Sequence, residues 1–306
     1  MRKFWGLTKR NMMVFFEDKQ SVVFSLLTSI IVFVLYMLFL RRTFVDAIYS
    51  ILDSAEGLKG LIETQDIDTY TSLLLFAGIL GSAMITVPFH CLTLLVKDRE
   101  NGVDLDISAT PIRRWQIVLS YFTASAVSAI LMTFVILTAG LVFLISTGSV
   151  YLDAGNVIAS YGIVVLGSVS ATAFFMIVVL FFRSSSSCGA FFGILSAAAG
   201  FVIGAYIPVS QFSEGIQTAC NIFPASHITI LLRNTLLSGV LGQMDQSIGG
   251  LDNGMFTDML KETFSFTARI FEKNLDVPAM VCYVIVFTLV CIAGMIFTYA
   301  KTYRRN

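Results

Sequence analysis

Side chains able to do chemistry are sparse in this chain and stay out of its long apolar runs. Only one ionisable imidazole, His90, falls inside such a run, near its end. There it could titrate or hold a substrate, and could equally serve as a plain hydrogen-bonding group. The other histidine, His227, lies outside these runs, and its surroundings assign it no role. A charge at the bilayer centre costs about 3 kcal/mol on insertion scales. The lack of Asp, Glu, Lys and Arg inside the runs therefore argues against proton or ion coupling through this chain. The pattern His-Glu-x-x-His, an intramembrane carboxylate pair and a serine beside an evident base are all missing, so an enzyme is disfavoured. No metal-ligating cluster stands out, and no glycine-rich loop ending in Gly-Lys-Ser/Thr is present to cradle ATP. The charges gather instead in Lys97 to Ile117, reading KDRENGVDLDISATPIRRWQI, which has the makings of a docking surface and none of a catalytic centre.

The elements that position this stretch follow from composition. Hydrophobic residues make up 56% and charged residues only 13% of the chain. A soluble domain carries about a quarter charged residues, so this is an integral membrane protein. Five cysteines, odd in number and mostly inside apolar runs, argue against a disulfide framework. The first apolar run follows about twenty mixed polar and aromatic residues, which is unlike a cleaved signal peptide.

Apolar runs predict six spans over 21–40, 72–96, 117–146, 156–182, 188–207 and 279–300, each long enough to cross as a helix. Residues 1–20 place Phe4, Trp5, Met12, Phe15 and Phe16 on one helical arc and Arg2, Lys3, Lys9 and Arg10 opposite. That pattern predicts a helix in the membrane surface with its basic face toward headgroups. Residues 97–116 form the charged loop, and 41–71 a polar connection. Residues 208–278 are too long for a turn; Phe223 to Ser238 reads as a re-entrant or interfacial helix, and Thr257 to Asn274 as a second amphipathic helix. Gly189, Gly193, Ala197, Gly200 and Gly204 recur along the fifth run, a stripe that lets another helix approach closely. The whole is an all-α membrane protein in one transmembrane domain.

Six spans put both termini on one side. That side, which includes the charged loop, has basic residues in about twofold excess over acidic ones, and the other side the reverse. Both termini and the loop are therefore expected in the cytoplasm of a multi-pass cell-membrane protein.

Asp98-Arg99-Glu100-Asn101-Gly102, then Asp104-Leu105, then Thr110-Pro111-Ile112-Arg113, resembles the charged segment, short helix and Thr-Pro step of the type-2 ABC exporter permease subunits. Asp98 stands where that family commonly has Glu. Phe223-Pro224 is a weaker echo of its Asn-Pro step before the last span. Leu237-Ser238-Gly239 resembles part of the partner ATPase's own signature, lacks every companion motif and reads as chance. The resemblance implies a separate cytoplasmic ATPase, which would bind ATP and magnesium while this chain carries no cofactor. It further implies a second permease copy or homologue, and outward movement of a hydrophobic or amphipathic substrate. Residues implied in coupling are Asp98, Arg99, Glu100, Gly102, Asp104, Leu105, Ile107 and Pro111. The substrate route or helix packing would involve Gly78, Gly81, Gly200 and Gly204. The local chemistry agrees: Gly102 suits a left-handed helix end, and Thr110-Pro111 the cap and first turn of the next helix. The alternative is an ion-coupled carrier or channel without an ATPase.

Overall fold

The computed structural model describes residues 2–54, 60–147, 151–271 and 273–302, so the basic tail residues Arg304 and Arg305 lie outside the described residues. The chain begins with α1 (Arg2–Glu17), which runs beside the bundle, and α2 (Lys19–Leu35). A π-helical turn at Tyr36–Leu40 passes directly into α3 (Arg41–Ser54). The first span is thus a helix continuing well beyond residue 40, and the polar connection expected over 41–71 is mostly helical. The reason is a second amphipathic pattern, in which Phe44, Ile48 and Leu52 recur every four residues and are all buried. The extra residue of a π turn rotates the next helix by roughly 100°, turning this new face onto the core.

Next come α4 (Thr64–Glu100), α5 (Val103–Ala109), α6 (Arg114–Thr147), α7 (Ala154–Val179) and α8 (Ser185–Val202). The region before the last span holds α9 (Glu214–Ile222), α10 (Pro224–Leu236), α11 (Ser238–Ile248) and α12 (Met255–Thr263). A two-stranded antiparallel hairpin, β1 (Ala268–Ile270) and β2 (Lys273–Leu275), then leads into α13 (Val277–Thr302). Six helices among the described residues are long and apolar enough to cross a membrane. The amphipathic helix expected over Thr257 to Asn274 ends at Thr263, and the hairpin replaces its second half.

α4 is the axis of the bundle, packed by α2, α6, α7, α8 and α10 and buried almost all round. Its small residues allow this. A Cβ on Gly78 would sit 2.9 Å from the Tyr36 hydroxyl and 3.1 Å from the Ala205 methyl. One on Gly81 would meet Ile203 at 2.9 Å and collide with Thr229. Pro88 lies inside α4 without ending it, in a stretch surrounded by other helices.

α10 is buried from Pro224 to Arg233, with Pro224 in its first turn where the missing N–H costs nothing. Arg233 is only 2% exposed and has no carboxylate partner among the described residues. Its guanidinium donates to the carbonyls of Phe264 at 2.8 Å, Ser265 at 3.2 Å and Gly204 at 2.6 Å. Gly204, at φ +66°, turns the chain left-handed just past α8, leaving terminal carbonyls that attract a cation. One arginine therefore ties the end of α8 to the segment after α12. Replacing Arg233 by alanine would orphan several buried carbonyls and is expected to cost about 3 kcal/mol. Lysine, lacking the fork, should recover only part. Thermal unfolding of the detergent-solubilised variants measures this, and an unchanged Tm for Arg233→Ala would refute the tie.

Candidate functional site

The charged loop begins in the last turn of α4. Successive residues on a helix point about 100° apart, and here four in a row reach four different neighbours. The Lys97 ammonium donates to Asp18, between α1 and α2, at 2.9 Å. Asp98, buried at 5% exposure, receives a two-pronged ion pair from Arg10 of α1 and the hydroxyl of Tyr121 on α6. Arg99 donates to the carbonyls of Leu180 at 2.9 Å and Phe182 at 2.8 Å, just past α7. Glu100 accepts the backbone N–H of Ser185, the first residue of α8, at 2.9 Å. Adjacent residues of opposite charge thus answer adjacent helix ends of opposite polarity, a cation at the carbonyl end of α7 and an anion at the N–H end of α8.

Three of the residues that the resemblance implies in coupling, Asp98, Arg99 and Glu100, are thus engaged within the chain. Arg10 likewise turns inward to Asp98 instead of joining a headgroup-facing arc, while Arg2, Lys3 and Lys9 remain exposed. The buried side of α1 consists of Thr8, Asn11 and Phe15, and Trp5, Met13 and Phe16 are exposed. The Ser21 hydroxyl and the Lys97 ammonium hold the Asp18 carboxyl below the usual carboxylate range.

Gly102, at φ +75°, provides the left-handed turn that breaks α4 from α5. A seven-residue helix is unstable alone, and α5 is anchored through Ile107, which with Ile112 packs on the core formed by α4, α6 and α7. Leu105 projects outward at 68% exposure. Asp104 is half-buried, whereas Asp106 and Ser108 are exposed. Thr110 and Pro111 act differently from expectation. α6 starts only at Arg114, so Pro111 is not in its first turn. Thr110 instead ends α5, its backbone N–H donating to the Ile107 carbonyl at 3.1 Å and its hydroxyl to the same oxygen at 2.6 Å. Its extended backbone is the conformation a following proline imposes.

The glycines divide. Gly78 and Gly81 are internal packing positions of α4. Gly200 sits under the ring of Tyr206, and Gly204 forms the turn held by Arg233. Gly189 and Gly193 meet nothing within 4 Å, and Ala197 beside them is exposed. α8 is thus little buried along its length and pinned at both ends, by Glu100 at one and Arg233 at the other.

His90 packs against the Phe192 ring at 5.4 Å. His227 is buried beside Tyr283 at 4.6 Å, and burial pushes its imidazole down to about 4, leaving it neutral at physiological pH. Gly239 lies at the start of α11, where an added Cβ would run into the Tyr151 carbonyl, so this glycine has a packing role at the end of the bundle away from α5.

Six helices long and apolar enough to cross a membrane, with an exposed elbow between the second and third, make an all-α membrane protein whose architecture fits a permease subunit. The ABC-2 family transporter proteins match residues 58–300, and the chain belongs to that family. No curated protein matches it. Membership implies an ATPase partner and a membrane setting, and the membrane subunits of the family are generally non-catalytic.

Asp98→Asn should loosen α1 from the bundle, seen as faster labelling of a cysteine introduced at Asn11. Exchanging the pair as Arg10→Asp with Asp98→Arg should restore part of the protection; unchanged labelling in Asp98→Asn would refute the clamp. Because the Asp18 pKa is lowered on folding, its contribution is full at neutral pH and is lost only as pH falls below the ordinary carboxylate range. A Lys97→Met variant should therefore narrow its stability gap to the parent only in strong acid, and a gap that closes between pH 8 and 6 would count against this ion pair.

Proposed function

We propose that the chain is the permease half of an ATP-driven exporter, and that α5 is where a cytoplasmic ATPase engages it. The observation that carries this reading is the exposed Leu105 on a short helix anchored at both ends. The last turn of α4 ties that helix to α1, α6, α7 and α8. Force delivered at α5 would pass into the spans as near-rigid units. Leu105, with Asp104 and Asp106 beside it, makes the contact; Asp98, Arg99 and Glu100 hold the seat, and Gly102, Ile107 and Pro111 fix the elbow. ATP and magnesium belong to the partner subunit.

A second permease copy or homologue would pack on the open face of α8 at Gly189 and Gly193, where a close approach is sterically free. The substrate route then runs between the two α8 faces, with α4 behind them. Apolar walls suit a hydrophobic or amphipathic cargo such as a drug, a peptide antibiotic or a lipid-linked molecule. The basic excess beside α5 supports a cytoplasmic address for both termini.

Co-expression with the ATPase of the neighbouring genes tests the reading. Leu105→Asp should weaken co-purification roughly tenfold, the scale for losing an exposed anchor, while the variant still elutes and unfolds like the parent. Transport in vesicles that continues without nucleotide and follows an ion gradient would replace the exporter by a carrier. For orientation, Leu251→Cys, at a site 74% exposed, should react with an impermeant thiol reagent added outside intact cells. Labelling from the cytoplasmic side alone would invert the topology.

A further inference from the structure

We infer that a cleft between α2, α4 and α6 is a binding site for one zwitterionic phospholipid with an amine headgroup, taken from the leaflet remote from α1 and α5. The cleft has two confluent parts. The deeper one, of about 350 Å³, is walled by apolar groups, among them Ile30, Phe33, Phe76 and Ala139. The outer one, of about 430 Å³, is more polar than the deeper one and opens beside Arg41, Asp68 and Thr147. Met37, Ser72, Phe143 and Leu144 line both, so the two form one passage.

Its length along the first span matches the depth of one leaflet. From Leu26 to Arg41 the helix rises roughly 22 Å at 1.5 Å per residue. Half a bilayer, acyl region plus headgroup layer, is about 20–22 Å deep. The apolar part therefore lies at chain depth and the polar part at headgroup depth.

The rim chooses the headgroup. Arg41 and Asp68 pair at 3.0 Å, and their side chains are 43% and 48% exposed, so each retains free hydrogen-bonding capacity toward the opening. A phosphate beside Arg41 and an ammonium beside Asp68 would complete a four-charge ring of alternating sign. A purely anionic head would face the Asp68 carboxylate without compensation. The π turn at Tyr36–Leu40 is what rotates Arg41 toward α4 and so builds the rim.

The site is independent of any ATPase, so its test uses the chain alone, reconstituted without nucleotide in phosphatidylcholine vesicles. The probe is phosphatidylethanolamine carrying a photoactivatable group in one acyl chain. Crosslinks should concentrate on peptides spanning residues 26–37 and 135–144. Ala139→Trp, or Ile30→Trp from the opposite wall if the first fails to fold, should lower them roughly tenfold, as expected when about two methylenes no longer fit. Arg41→Gln should keep the chain crosslinks and lose the preference over diacylglycerol bearing the same chain. Crosslinks spread evenly to outward residues such as Ile158 and Phe297 would overturn the site. So would Ile30→Cys disulfides between two copies, which would make the cleft a dimer contact. Labelling by phosphatidylglycerol equal to that by phosphatidylethanolamine would overturn the headgroup assignment.

Discussion

The structure depends on how helix ends are neutralised where the chain leaves the hydrocarbon. Inside a bilayer a helix satisfies its own backbone, but the terminal N–H and C=O groups have no intrahelical partner. Here the last turn of α4 supplies two of these partners to other helices. Arg99 meets the carbonyl end beyond α7, and Glu100 meets the N–H beginning of α8. The break between α7 and α8 is tight, with Ser184 capping α8 by accepting the Ser187 N–H at 3.3 Å. Two opposite helix poles consequently lie close together, and two adjacent residues of opposite charge can serve both.

The same logic recurs at the far end of α8 with a different donor. Arg233 serves the terminal carbonyls from α10, where its planar fork of N–H groups can reach several oxygens at once. Between these fastenings α8 buries little of its surface, in contrast to α4. A helix held at its ends and free along its side can present that side to another subunit without disturbing its own chain. The free face carries Gly189 and Gly193, whereas Gly200 and Gly204 serve the local turn. The single small-residue stripe of the sequence is two devices with separate purposes.

Much of this was legible in the sequence. Apolar runs locate six spans because a bilayer permits only helices of sufficient length, and Gly102 marks the break between α4 and α5 because few other residues adopt its backbone. Four things were not legible. The extension through α3 depends on Phe44, Ile48 and Leu52 facing inward after a π turn, and a rotation of that kind leaves no pattern in a run read as one uninterrupted period. The inward orientation of Asp98, Arg99 and Glu100 depends on partners that are mostly eighty or more residues away, so composition registers only a charged loop. The role of Arg233 depends on backbone carbonyls as partners, which every residue has and no side-chain pattern announces. The Thr110-Pro111 step was recognised as a helix boundary and assigned to the wrong helix, because proline just inside a start and proline just beyond an end both read as a stop.

The seat of α5 also bears on how motion can pass through the molecule. Exposed ion pairs such as Lys97 with Asp18 contribute little, about 0–1 kcal/mol, and can exchange with water. Asp98 is different, since it is buried and accepts from both Arg10 and Tyr121. Separating it from these donors leaves a carboxylate desolvated, which costs several kcal/mol. Rotating α1, α4 and α6 together costs none of that, because the contacts travel with them. Under the proposed coupling, a push on Leu105 would move the ends of several helices as one body, with α8 free along its side to take up the displacement. The polar cluster of this stretch is what makes it stiff, and in the proposed reading the partner contact would fall to the few residues the cluster leaves exposed.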